Sequence, residues 1–189
     1  MSRLRTFIAV DPGKAIRDRT VALQEVLART GVEVKWVEPE NLHVSLLFLG
    51  EVDARDVPDV CQSVAEVCAA REKFSMTVES VGCFPNPRRP RILWVGVGTG
   101  SQELCRLHDG LEKPLLKLGC YRREERRYTP HLTLGRVKSD RPAEKLRDEL
   151  VKHASWRGGE THVSELLVLS SELTPQGPHY TVLSRAPLA

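Results

Sequence analysis

Two hexapeptides, HVSLLF at residues 43–48 and HLTLGR at residues 131–136, repeat the pattern histidine, apolar residue, hydroxyl residue, leucine (131 − 43 = 88). This repeat constrains the fold more than any other feature of the chain. Sliding the first half forward by 88 also brings Leu23 onto Leu111, Gly31 onto Gly119 and Leu42 onto Pro130. The apolar run Thr6–Val10 falls over the run around Trp94–Val97. Each half then reads strand, helix, glycine, twelve residues, histidine strand (43 − 31 = 12; 131 − 119 = 12). A repeat of whole elements in one order is the mark of a duplication, here giving two similar lobes.

The patterning between these landmarks mixes strands and helices. TFIAV, closed by Asp11-Pro12-Gly13, predicts a first strand. Ile16, Leu23, Val26 and Leu27 predict a helix from Lys14 to Arg29, with Gly31 as its stop. Further strands are predicted at Val34–Val37 and His43–Leu49. Val57, Val60, Cys61, Val64, Val67 and Cys68 give the clearest helical stripe. Strands follow at Phe74–Phe84 and Ile92–Val97. The stripe Leu104, Leu107, Leu111, Leu115, Leu118 predicts a helix that Pro114 should kink or cut. A helix around Pro142–Lys152 and strands near Val163–Leu169 and Tyr180–Ser184 complete the set. Short connections and mixed order predict an α+β fold with antiparallel pairing: two similar lobes, helices on the outer faces, a pseudo-two-fold relation around a central cleft. All 189 residues are expected to form a single domain of two intertwined lobes.

Composition narrows the function classes. With 41% hydrophobic and 28% charged residues the chain can build a core. A net charge of +3 permits a nucleic-acid partner without demanding one. The start MSRLRTFIAV lacks a signal-peptide pattern and no segment has the length of a membrane span, so a cytoplasmic protein with no membrane partner is expected. The five cysteines form no Cys-x-x-Cys pair, and the histidines and cysteines show no ligand spacing, so no metal site and no cofactor are expected. GVGTGSQE (96–103) lacks the Lys-Ser/Thr of a nucleotide-binding loop.

Side chains alternate along a strand, so His43 and Ser45 share a face with Leu47, opposite Val44, Leu46 and Phe48. His131 and Thr133 share a face in the same way. If the lobes pack about a two-fold axis, two His-hydroxyl pairs face each other across the cleft. Displacement at phosphorus suits this arrangement. It needs a base for the nucleophile and an acid for the leaving oxygen, and two imidazoles can share those roles near neutral pH. The hydroxyls would hold the non-bridging oxygens. A lone histidine in an apolar strand is more often a packing residue; its recurrence at equivalent places shifts the reading towards function.

NLHVSLLFLGEV (41–52) and YTPHLTLGRV (128–137) resemble the paired His-x-Thr/Ser motifs of the 2H phosphoesterase superfamily, in the branch of RNA 2′,3′-cyclic phosphodiesterases once named 2′-5′ RNA ligases. RTFIAVD, RILWVGV and HYTVLSRAPL extend the resemblance along the chain. It implies two α+β lobes around a cleft and metal-independent hydrolysis of the 2′,3′-cyclic phosphate ends of RNA or nucleotides to 2′-phosphates. It further implies His43 as proton donor, His131 as proton acceptor, and Ser45, Thr133 and Arg136 as phosphate ligands. Strict alternation places Arg136 on the face opposite His131, so a bulge or bend at Gly135 is required. The two motifs are nearly symmetric, and which histidine is the acid stays open on the residues alone. Alternatives are joining of RNA ends through a 2′-5′ bond in the same cleft, a non-catalytic RNA-binding module, and a metal hydrolase. A monomer is the simplest assembly.

Other residues carry weaker signals. Arg88, Arg89 and Arg91, with RREERR (122–127), could contact RNA phosphates or be solvated loops. Tyr128, Trp36 and Phe7 could stack on a base, with core packing the alternative. His108 reads as a helix-edge residue, and His153, His162 and His179 as surface residues.

Overall fold

The computed structural model describes residues 2–123, 127–138, 144–175 and 177–189. In chain order the elements are β1 (Arg3–Val10), α1 (Lys14–Ala28), β2 (Val34–Trp36), β3 (Val44–Asp53), α2 (Val57–Ala69), β4 (Phe74–Phe84), β5 (Ile92–Val97), α3 (Ser101–Lys117), β6 (His131–Val137), α4 (Glu144–Lys152), β7 (Arg157–Val163), β8 (Glu165–Thr174) and β9 (Gly177–Pro187). A short 3₁₀ turn at Pro39–Asn41 leads into the His43 strand. The expected helix start at Pro142 lies outside the described residues.

All described strand pairs are antiparallel, in the order β7-β4-β5-β6-β3-β1-β8-β9, with β2 on the free side of β6. The fold is α+β. β6 and β3 meet through one residue pair, Val44 with Leu132, so two halves of four strands each, with β2 added beside β6, join at a single point of the sheet. The halves match element for element: β3 with β6 at the join, β1 with β5 beside them, then β8 with β4, and β9 with β7 at the edges. These correspondences follow the sequence repeat, β7 and β9 being the addition to it.

The helices interlock the halves. α2 packs on β8 and β9 of its own half, but α1, which follows β1, lies against β7 of the other half, and α3, which follows β5, lies against α2 and β3. Their buried stripes are those the periodicity gives: Ile16, Leu23 and Leu27 on α1, Val60, Val64 and Cys68 on α2, Leu104, Leu107, Leu111 and Leu115 on α3. They close on Ile8, Val10, Val44, Leu46, Leu93, Val95, Leu132 and Leu134 from the inner sheet face. The burial of apolar surface drives this closure.

Two expectations are corrected. α3 is not cut at Pro114 but continues to Lys117. The lost N–H faces the carbonyl of Gly110, and buried Leu111 and Leu115 on either side of Pro114 hold the turn. Leu118 lies beyond the helix and is exposed. β7 was not foreseen, because RGGETHV has two glycines and no apolar alternation; it is an edge strand paired only with β4.

Candidate active site

The sheet face turned away from the helices, called the outer face below, carries the candidate residues. His43 immediately precedes β3 and His131 opens β6. The Val44–Leu132 pair fixes their relation, since antiparallel register sets Ser45 across from His131 and Thr133 across from His43. Val44 and Leu132 are both buried inward, so the four flanking side chains all face outward. Each hydroxyl therefore sits beside its own histidine along the strand and near the other histidine across it. The structure brings together all four residues that the repeat singled out.

The two imidazoles are held alike. The Nδ1–H of His43 donates to the carbonyl of Asn41 at 2.6 Å, and that of His131 to the carbonyl of Thr129 at 2.7 Å. Each carbonyl stands two residues before its histidine. Donation from Nδ1 leaves Nε2 as the lone-pair nitrogen in the neutral ring. Asn41 is itself tied down, its buried side-chain amide donating to the Pro178 carbonyl at 2.9 Å.

Aromatic rings flank both histidines. Phe7 and Tyr180 lie 5.1 and 5.5 Å from the His43 ring, and Phe84 and Trp94 lie 5.3 and 6.5 Å from the His131 ring. Gly82 has no side chain because the Trp94 ring lies on it; a Cβ there would come within 2.3 Å of that ring. Burial, together with the positive field of His131, lowers the His43 pKa from its ordinary 6.5, while the Asn41 carbonyl partly offsets this. Burial also raises the Tyr180 phenol, and the positive charges of Arg5 and Arg136 oppose that rise.

Bulges set the remaining side chains. On β6, Trp94 pairs with Thr133 but Leu93 pairs with Gly135, leaving Leu134 as an extra residue. Leu134 and Gly135 both turn inward, and Arg136, paired with Ile92, returns to the face of His131 and Thr133. The required bend is present, one residue before Gly135. β3 carries the same device: Ala9 pairs with Ser45 and Ile8 with Leu47, leaving Leu46 extra. This corrects two expected faces. Leu47 is 3% exposed in the core, whereas Phe48 is 54% exposed and stacks on Phe7 at 5.6 Å. Phe48 thus occupies in the first half the place that Arg136 occupies in the second (136 − 48 = 88).

The other candidates are dispersed. Tyr128 is partly buried, its ring parallel to that of His108 at 4.4 Å and its hydroxyl donating to the Ser45 carbonyl at 2.8 Å. Its phenol is raised far above the ordinary range by burial, so it serves as a structural donor. Trp36 packs against Gly135 on β2. Phe7 belongs to a small outer-face cluster with Ala9, Leu167, Leu169 and Tyr180. Arg88 and Arg89 are exposed in the β4–β5 loop, where their N–H groups donate to the Asn86 side chain, and Arg91 precedes β5. Arg123 pairs with Glu112 at 3.1 Å; Glu124, Glu125 and Arg126 lie outside the described residues. His162 and His179 are exposed, and half-buried His153 caps α4 through Glu149. Among the described residues no group of three His, Cys, Asp or Glu side chains could hold a metal ion, and no helix is long and apolar enough to cross a membrane.

Sequence reasoning missed Asn41, Tyr180 and Gln24. Gln24, on α1, donates through Nε2 to the carbonyls of Val37 and Leu134 at 2.9 and 2.8 Å. A buried glutamine within an apolar helical stripe was the available signal for it.

Comparison with known proteins gives a consistent picture. Residues 14–175 match the profile of the 2′-5′ RNA ligase superfamily. Several proteins named RNA 2′,3′-cyclic phosphodiesterase are similar to the chain along most of both sequences. That of Methanothermobacter thermautotrophicus is 37% identical, over 95% of this chain and 96% of its own length. That of Archaeoglobus fulgidus is 40% identical, over 94% and 96%. Among solved structures, TT0787 of Thermus thermophilus superposes with a TM-score of 0.83 at 28% identity, covering 98% of each chain.

Proposed function

The chain belongs to the 2′-5′ RNA ligase superfamily, and from that membership and the two-histidine cleft we infer that it is an RNA 2′,3′-cyclic phosphodiesterase. It hydrolyses the cyclic phosphate at RNA or nucleotide ends. The observation that carries the mechanism is the matched anchoring of the two imidazoles, each with Nδ1–H committed to a backbone carbonyl and Nε2 left for chemistry.

Water attacks phosphorus while the Nε2 of His131 takes its proton, and the bond from phosphorus to the 3′ oxygen breaks. That oxygen takes the proton from Nε2–H of His43, leaving a 2′-phosphate. His43 ends neutral and His131 protonated, and exchange with solvent resets both. Ser45 and Thr133 donate to the non-bridging oxygens, and the Arg136 guanidinium balances the charge that develops there. The bulge on β6 supports this reading, since without it strict alternation would turn Arg136 away.

Burial favours neutral His43 in the free cleft, whereas a donor must be protonated. A phosphate anion against Nε2 reverses that preference, so the donor role requires proton uptake at His43 when substrate binds. Calorimetric titration of a non-hydrolysable cyclic phosphate analogue in buffers of different ionisation enthalpy measures this uptake. Net uptake near pH 7, lost in His43→Gln, is the expected result; its absence would move the donor role to His131. The product of a 2′,3′-cyclic-phosphate-terminated oligoribonucleotide, incubated with the protein in EDTA, should carry a 2′-phosphate. Turnover that stops in EDTA and returns with added metal would overturn the two-histidine mechanism.

A further inference from the structure

The bulge on β6 makes Arg136 available to the cleft, so whatever holds the bulge holds the guanidinium. An extra residue in an antiparallel strand falls out of the ladder and leaves its backbone groups to be satisfied elsewhere. Leu134 is that residue, and it is fully buried. Its carbonyl accepts from the Val37 N–H at 2.9 Å and from Nε2 of Gln24 at 2.8 Å. The same Nε2 donates to the Val37 carbonyl at 2.9 Å. One amide group, 7% exposed, thus spends both hydrogens tying the bulge of β6 to the end of β2. Both partners are carbonyls, so only the amide nitrogen can occupy this position.

Packing leaves little slack around the tie. A Cβ at Gly135 would come within 2.7 Å of Val34 Cγ1, 2.9 Å of the Lys35 carbonyl oxygen and 3.0 Å of Trp36. β2 therefore presses directly on the residue between Leu134 and Arg136. Gln24 reaches this point from α1, a helix that follows β1 of the other half of the sheet. The corresponding bulge on β3 is held in a related way, with the Tyr128 hydroxyl on the neighbouring Ser45 carbonyl.

We propose that Gln24 is a positioning residue for Arg136: its side-chain amide fixes the Leu134 bulge and through it the guanidinium at the phosphate. The inference rests on the reading of Arg136 as a phosphate ligand given above. Gln24→Met removes the side-chain donor from both carbonyls, leaves Leu134 with the Val37 N–H, and loosens the bulge. Gln24→Glu, equal in shape, sets a carboxylate against the same carbonyls.

The test is a double-mutant cycle on two readouts, inorganic phosphate affinity by calorimetry and kcat/KM on a cyclic phosphate oligonucleotide. Each variant is assayed where denaturant titration shows it to be folded. Arg136→Ala should weaken both readouts by about tenfold or more, as loss of a charged hydrogen bond does. Gln24→Met and Gln24→Glu should each cost about fivefold or more beside Arg136, and less than about twofold in the Arg136→Ala background. Equal losses in both backgrounds would overturn the proposal, as would full phosphate affinity in a Gln24 variant that is merely less stable. An Arg136→Ala variant with unchanged phosphate affinity would instead remove the phosphate role from Arg136, and this inference with it.

Discussion

His43 and His131 are anchored alike, each to the carbonyl two residues before it, and the surroundings of His43 have a measurable consequence. The folded-state pKa of His43 is depressed from 6.5 by burial and by His131. Below pH 6.5 the unfolded chain therefore takes up the proton before the folded protein does, and stability falls as the pH drops. Above 6.5 both states are neutral and this contribution vanishes. Chemical denaturation at pH 7 and pH 5 should show a smaller loss in His43→Gln than in the wild type; equal losses would contradict the assigned burial. The pairing of histidine with hydroxyl was legible in the sequence because a two-residue spacing on a strand survives any lobe arrangement. The Nδ1 anchors were not, since backbone carbonyls carry no side-chain signature. Nor was Tyr180, brought to His43 by the β8–β9 hairpin from 137 residues along the chain (180 − 43 = 137).

At the scale of elements, the matched bulges decide which side chains reach the cleft. Strict alternation put Leu47 outward and Phe48 inward, and both positions are exchanged by the extra residue Leu46. Its equivalent, Leu134, rescues Arg136. A bulge depends on hydrogen bonds from neighbouring elements, and for this reason only the glycine at 135 hinted at one. Gly135→Ala should be destabilising by about 1–3 kcal/mol, the usual cost of overpacking, because the new methyl meets the Lys35 backbone as well as the Val34 and Trp36 side chains. Phosphate affinity should fall with it, as β2 is pushed off the bulge. Thermal and denaturant unfolding of the variant beside calorimetric phosphate titration measures both; a variant unchanged in both would refute the tight contact. The α-helices were legible from their stripes, whereas β7 was hidden by its polar, glycine-rich edge sequence.

For the whole molecule, we propose a single domain in which neither lobe folds alone. One backbone pair joins the two halves of the sheet, which by itself would be a weak seam. The seam is bridged from both sides: α1 and α3 each cross to the opposite half, and the Gln24–Leu134 and Tyr128–Ser45 hydrogen bonds run between them. The matching order of elements was legible in the 88-residue offset, but this exchange of helices was not, because periodicity reports a buried face and not the sheet that buries it. Unfolding should be one cooperative transition, with tryptophan fluorescence and far-ultraviolet circular dichroism giving the same midpoint. Tryptophans report mainly on the half containing β4, β5 and β7, so separated midpoints would show that the lobes unfold independently.

The central claim is that the two symmetric imidazoles together open a cyclic phosphate. Its most direct measurement is kcat for hydrolysis of a 2′,3′-cyclic-phosphate-terminated oligoribonucleotide, in EDTA, by folded His43→Ala and His131→Ala. Each variant should lose at least about 10²-fold, the usual contribution of one general acid or base. Wild-type turnover in either variant would contradict the claim.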